Sequence, residues 1–191
     1  MKDHEDATAN PAPLGLMGFG MTTLLLNLHN AGFIALGSVI LAMGIFYGGI
    51  AQVIAGIMEW RKGNTFGMTA FISFGFFWIS TVALILMPSM GLGSVTEPTS
   101  MAWFFGIWGV FSVFLLIGLL RSNRMMQLVF STLTLLFFLL AISEATGSGD
   151  IKTLAGYVGL LTGSAAIYVA MAEVLRESLG RDFLPLWPVK Q

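Results

Sequence analysis

The sequence predicts an all-α membrane protein of six transmembrane helices, with both termini on the cytoplasmic side. Three observations carry this. Of 191 residues, 56% are hydrophobic and 10% charged, with mean hydropathy +0.85, whereas a soluble domain carries about 25% charged residues. The apolar residues fall into six runs, each near the roughly 20 residues that cross a bilayer as a helix. Continuous apolar runs of that length satisfy their backbone in lipid as helices rather than as an open sheet. Finally, Lys2, Arg61, Lys62, Arg121, Arg124, Arg176, Arg181 and Lys190 all fall on one side of a six-span chain, and only Lys152 on the other. Basic loops stay cytoplasmic.

In chain order, residues 1–9 read as a charged, flexible cytoplasmic tail. Lys2, Asp3, Glu5 and Asp6 rule out a signal peptide, which needs a basic stretch before an apolar core. Asn10-Pro11-Ala12-Pro13-Leu14-Gly15-Leu16 follows. Asn10 suits an N-cap, and Pro11 and Pro13 suit a first helical turn. A helix start with free amides can also receive a small anion. On spacing alone, a simple helix start and an anion site both remain open.

The first run spans residues 13–28, and 28–32 read as a turn. The second spans 34–58 and ends at Glu59-Trp60-Arg61-Lys62-Gly63-Asn64. The third spans 65–87, closed by Pro88, and residues 88–100 are the longest loop. The fourth covers 101–120, the fifth 125–142 and the sixth 153–175. Residues 10–185 thus form one transmembrane domain, and 186–191 a short cytoplasmic tail. Many of the 23 glycines lie within spans, where small residues let helix backbones approach closely.

Several function classes drop out. Without cysteine there are no disulfides and no thiolate sites. A net charge of −1 gives no nucleic-acid signal. Neither G-x-S-x-G nor H-E-x-x-H occurs, so no catalytic residue, metal site or cofactor is expected. Polar residues inside spans mark function instead. They include Gln52 in mid-helix, Glu59 one face below it, and Tyr168 and Glu173 in the last span. Glu59 and Glu173 also read as interfacial partners of Arg61 and Arg176. Two classes remain: a transporter or channel, and a non-transporting structural or accessory membrane subunit.

Three stretches then carry a resemblance: Asn10 to Leu16; Tyr47-Gly48-Gly49-Ile50-Ala51-Gln52 continuing to Gly56 and Glu59; and Gly63-Asn64-Thr65-Phe66-Gly67 with Phe71 through Trp78. Together with Ala166-Ile167-Tyr168, they resemble the acetate uptake transporter family, which includes bacterial succinate–acetate permeases. The resemblance implies passage of acetate, and also succinate, across the bacterial inner membrane. It implies one solute path per protomer and a homohexamer. It leaves anion channel and proton-linked carrier both open. It also implies a constriction at Phe19, Phe74 and Leu133, with Phe74 where relatives carry Tyr. Ala166 falls at a position linked to solute size. The implied cytoplasmic vestibule takes in Asn10, Pro11, Pro13, Tyr47, Gln52, Asn64, Thr65 and Tyr168.

Overall fold

The computed structural model describes residues 8–189. The expectations about Lys2, Lys190 and most of the N-terminal tail therefore lie outside the described residues. Among the described residues the regular structure is entirely helical. Six long helices follow one another: α1 Ala12–Asn30, α2 Ser38–Arg61, α3 Thr65–Leu86, α4 Pro98–Gly118, α5 Arg124–Thr146 and α6 Gly149–Leu179. All but α1 are long and apolar enough to cross a membrane. α1 is interrupted by Thr22, Thr23, Asn27, His29 and Asn30.

Helix ends depart from the sequence reading for local reasons. α1 continues through the expected turn to Asn30, because its asparagines are satisfied along the helix. Asn27 Nδ2 donates to the Thr23 carbonyl at 2.9 Å, and Asn30 Nδ2 donates to Asn27 Oδ1 at 3.1 Å. α2 begins at Ser38, not at 34, because Gly32 has φ 85° and Gly37 is extended. Pro98 opens α4 instead of ending the preceding loop, since a first-turn proline loses no amide bond. α5 runs four residues past 142, to a left-handed Gly147. Ser148 then caps α6, which starts at Gly149, four residues before 153, and Gly180 ends it. At 31 residues, α6 is about 46 Å long, so it outreaches a bilayer core.

Within α2, Phe46–Ala51 forms a π-helical segment. The widened turn moves the Tyr47 carbonyl so close to α1 that a Cβ on Gly18 would meet it at 2.5 Å. Glycine is required there by space alone.

α1 packs most extensively on α6, and the other main pairs are α4 with α5, α5 with α6, and α2 with α3. The α1–α6 crossing is backbone against backbone. A Cβ on Gly163 would lie 2.7 Å from the Gly20 carbonyl oxygen, and one on Gly20 would lie 2.9 Å from the Gly163 oxygen. Gly159 and Gly156 extend this seam against the Asn27 side chain and the Ala31 backbone. The α1 start, the 62–64 and 119–123 turns and the α6 end gather at one end of the bundle, here called the terminal end. Arg61, Lys62, Arg121, Arg124, Arg176 and Arg181 are at this end, and Lys152 is at the other.

Gly163→Ala should cost about 1–3 kcal/mol of stability, because a carbonyl cannot step aside for the new methyl. Thermal unfolding in detergent is the measurement. Gly106→Ala is the control: no atom lies within 4 Å of its Cβ position, so its melting temperature should hold or rise.

Candidate functional site

A cavity of about 230 Å³ opens at the terminal end, between α1, α2, α3, α5 and α6. Its polar wall holds Asn10, Gln52, Asn64, Asn123 and Glu173, and its apolar floor includes Phe19, Phe74 and Leu133. Three helix N-termini therefore converge on one space: those of α1, α3 and α5. Each brings partial positive charge, and each is held by an asparagine.

Asn64 is the cap of α3. Its Oδ1 accepts from Gly67 N at 3.0 Å, and its Nδ2 donates to Glu59 Oε2 at 2.7 Å. Glu59 is 3% exposed, and this asparagine, not Arg61, is the hydrogen-bond partner of its carboxylate. Glu173 does pair with Arg176, one turn further along α6. Asn123 caps α5 in the same way, accepting from Met126 N at 2.8 Å. It was missed in the sequence, although an asparagine directly before a long apolar run is a helix-start signal.

At α1 the expected cap is shifted by one. Pro11 occupies the cap position, while Asn10 Oδ1 accepts from Ala12 N at 3.1 Å. Proline at 13 has no amide, and Gly15 N already bonds the Pro11 carbonyl. The expected row of free amides thus shrinks to Leu14. What Asn10 retains for a solute is its side-chain NH2.

Gln52 is 1% exposed, lines the cavity, and its Oε1 has no hydrogen-bond partner among the described residues. An unpaired buried amide oxygen is costly, and a water or a protonated acid in the cavity, either of which donates, would satisfy it.

Other vestibule expectations do not reach the cavity wall. Pro11 and Pro13 are buried in the first turn of α1 as its scaffold. Tyr47 lies in the π segment, where its carbonyl comes close to Gly18 of α1, and it does not line the cavity. Thr65 is exposed at the start of α3. Tyr168 donates its hydroxyl to the Pro185 carbonyl at 3.0 Å. That bond helps tie residues 181–189 across the terminal end, as does Arg124 N to the Trp187 carbonyl at 2.9 Å. Ala166 is fully buried in the same apolar core as Phe19 and Leu133 and does not line the cavity.

Phe19, Phe74 and Leu133 meet at the floor of the cavity, with the two phenyl centroids 5.9 Å apart. Phe74 also meets Trp108, Phe111, Phe130 and Phe137, with Phe137 stacked at 6.2 Å. A second cavity, of about 430 Å³, lies at the opposite end and shares no lining residue with the first. Leu26, Thr81 and Leu140 line it. Each lies seven residues beyond its counterpart Phe19, Phe74 or Leu133, a rise of about 10 Å. About two helical turns of packed, mostly apolar side chains therefore separate the two cavities. Phe77, Trp78, Leu136 and Phe137 are buried at this level. So are two polar atoms without partners among the described residues, Thr23 Oγ1 and Trp78 Nε1.

The chain has clear relatives. The profile of the GPR1/FUN34/yaaH family matches residues 1–185. The succinate-acetate/proton symporter SatP of Escherichia coli K12 is 56% identical over 178 residues, 93% of this chain and 95% of that protein. The solved structure of the bacterial acetate channel SatP superposes with a TM-score of 0.93 at 56% identity, covering 94% of this chain and 99% of that one. Ammonia transport outward protein 2 of Saccharomyces cerevisiae is 36% identical over 174 residues, 87% of this chain and 61% of that protein.

Asn64→Ala removes a helix cap, worth about 1 kcal/mol, and strips buried Glu59 of its partner, worth about 1–3 kcal/mol more. Its unfolding temperature in detergent should fall clearly below that of Thr65→Ala, which loses neither.

Proposed function

The chain belongs to the GPR1/FUN34/yaaH family, and from that premise we propose that it carries small carboxylates, chiefly acetate and also succinate, across the bacterial inner membrane. In this reading residues 10–185 form one transporter domain of six membrane-spanning helices, and the terminal end is cytoplasmic. Six basic residues at that end against Lys152 at the other support the orientation. The observation that carries the proposal is a path of two vestibules separated by one apolar plug, with helix N-termini and amides, not fixed cations, around the cytoplasmic one.

The physics of such a path favours fast, weak passage. A carboxylic acid with a pKa of about 4 is anionic at neutral pH. Partial charges from three helix starts, with NH2 groups of Asn10 and Gln52, collect that anion without holding it. Beyond them, Phe19, Phe74 and Leu133 offer no compensating charge, and stripping the anion of water costs several kcal/mol. Two routes lower this barrier. The acid passes protonated, or the plug opens and wets as apolar gates do. Phe74 brings no hydroxyl, so in this chain no phenol hydrogen-bonds the carboxylate at the ring. Ala166 keeps the core beside the ring small and so limits solute size.

Trp103, Ile107, Val110, Phe114 and Ile117 stand outward on α4 at steps of three and four residues. This apolar face suits lipid or a neighbouring protomer, and we assign it to a homohexamer with one path per protomer. Native mass spectrometry in detergent should give six copies.

Purified protein in liposomes should take up labelled acetate above the level of empty liposomes and exceed its uptake of methylammonium. No uptake would favour an accessory subunit. Phe19→Ala or Leu133→Ala should raise lactate relative to acetate by about tenfold, as when a hydrophobic pocket admits one more group. An unchanged ratio would reject the ring. A proton ionophore should abolish accumulation by a symporter, whereas a channel should respond only through the driving force on the anion.

A further inference from the structure

We infer that the vestibule opposite the terminal end is a second carboxylate-collecting site, anchored by Lys152. The inference rests on the transport reading above. Three half-buried ionisable side chains line this cavity: His29 from the last turn of α1, Glu144 from α5 and Lys152 from the start of α6. The α3 side and the following loop contribute Thr81, Ser89 and Thr96 but no charge. Glu97 and Asp150 lie on the adjoining elements and do not line the cavity.

Lys152 has no structural reason to be there. Among the described residues it forms no ion pair. It stands at the start of α6, where the helix dipole favours acidic groups such as Asp150 and disfavours a cation. It is also the basic residue that departs from the sided distribution of the other eight. A cation placed against both tendencies and open to a cavity on the proposed path fits a ligand of opposite charge.

His29 lines the same cavity. Its Nδ1 lies 3.1 Å from the Ile34 carbonyl oxygen. A carbonyl only accepts, so Nδ1 carries the hydrogen and Nε2 is left as an acceptor, which suits a protonated acid. Glu144 opposes the anion and keeps capture weak.

Acetate flux in right-side-out and inside-out vesicles tests this. Lys152→Gln should raise the half-saturating acetate concentration at the outer face about threefold, within the range of a partly exposed ion pair. It should leave the value at the cytoplasmic face unchanged, Lys152→Arg should restore it, and Glu144→Gln should lower it. Added salt should weaken wild-type capture and leave Lys152→Gln nearly flat. Equal outer half-saturation in Lys152→Gln and wild type, or equal change at both faces, would overturn the site. Absence of flux in the wild type would instead reject the transport reading itself.

Discussion

Everything in this bundle depends on how closely α1 can approach α6. At Gly20 and Gly163 the two backbones touch, and either Cβ would collide with the opposing carbonyl. Lipid supplies no hydrophobic drive to pull helices together, so close packing of small residues must do it. This seam holds α1 against the longest helix and takes in the Asn27 side chain opposite Gly159. Thr22 is buried on the other side of α1, against Gly48 of α2, and Thr22, Thr23 and Asn27 are all within 2% exposure, where their own helix and α2 satisfy part of their hydrogen-bonding capacity. The seam also places Phe19 opposite Phe74 and Leu133, and so sets the floor of the terminal vestibule.

With α1 so placed, electrostatics can be supplied by backbone. Three asparagine-held helix starts face one cavity. A lysine in their place would bind an anion more firmly and slow its release. Partial charges at helix ends act over about one turn, which suits a vestibule that must empty as readily as it fills. Glu59 fits the same logic. Its carboxylate is buried and committed to Asn64, so it braces the α3 start and is not a free charge facing the solute.

Much of this was legible in the sequence. Run lengths, the sided distribution of arginines and lysines, and the absence of catalytic motifs gave the class and the element order. The motif around Asn10, the Gln52 helix and the Asn64 turn marked three of the cavity's polar residues. Helix ends were less legible, because a string such as Leu28-His29-Asn30 reads as a turn until the side chains bond along their own helix. Tyr47, Thr65 and Tyr168 carried the right chemistry but were turned elsewhere, by the π segment, by exposure and by the C-terminal strap.

Composition and periodicity by themselves determined that this chain forms apolar helices with small residues along their faces, since both follow from local chemistry and span length. Tertiary structure alone decided which glycines become a seam, that Asn123 joins Asn10 and Asn64, and that about two helical turns of packed side chains separate the two cavities. Those outcomes depend on the azimuth and register of one helix against another. A side chain's facing is fixed by contacts between segments more than a hundred residues apart, as Gly20 and Gly163 are, and no local stretch of sequence contains them.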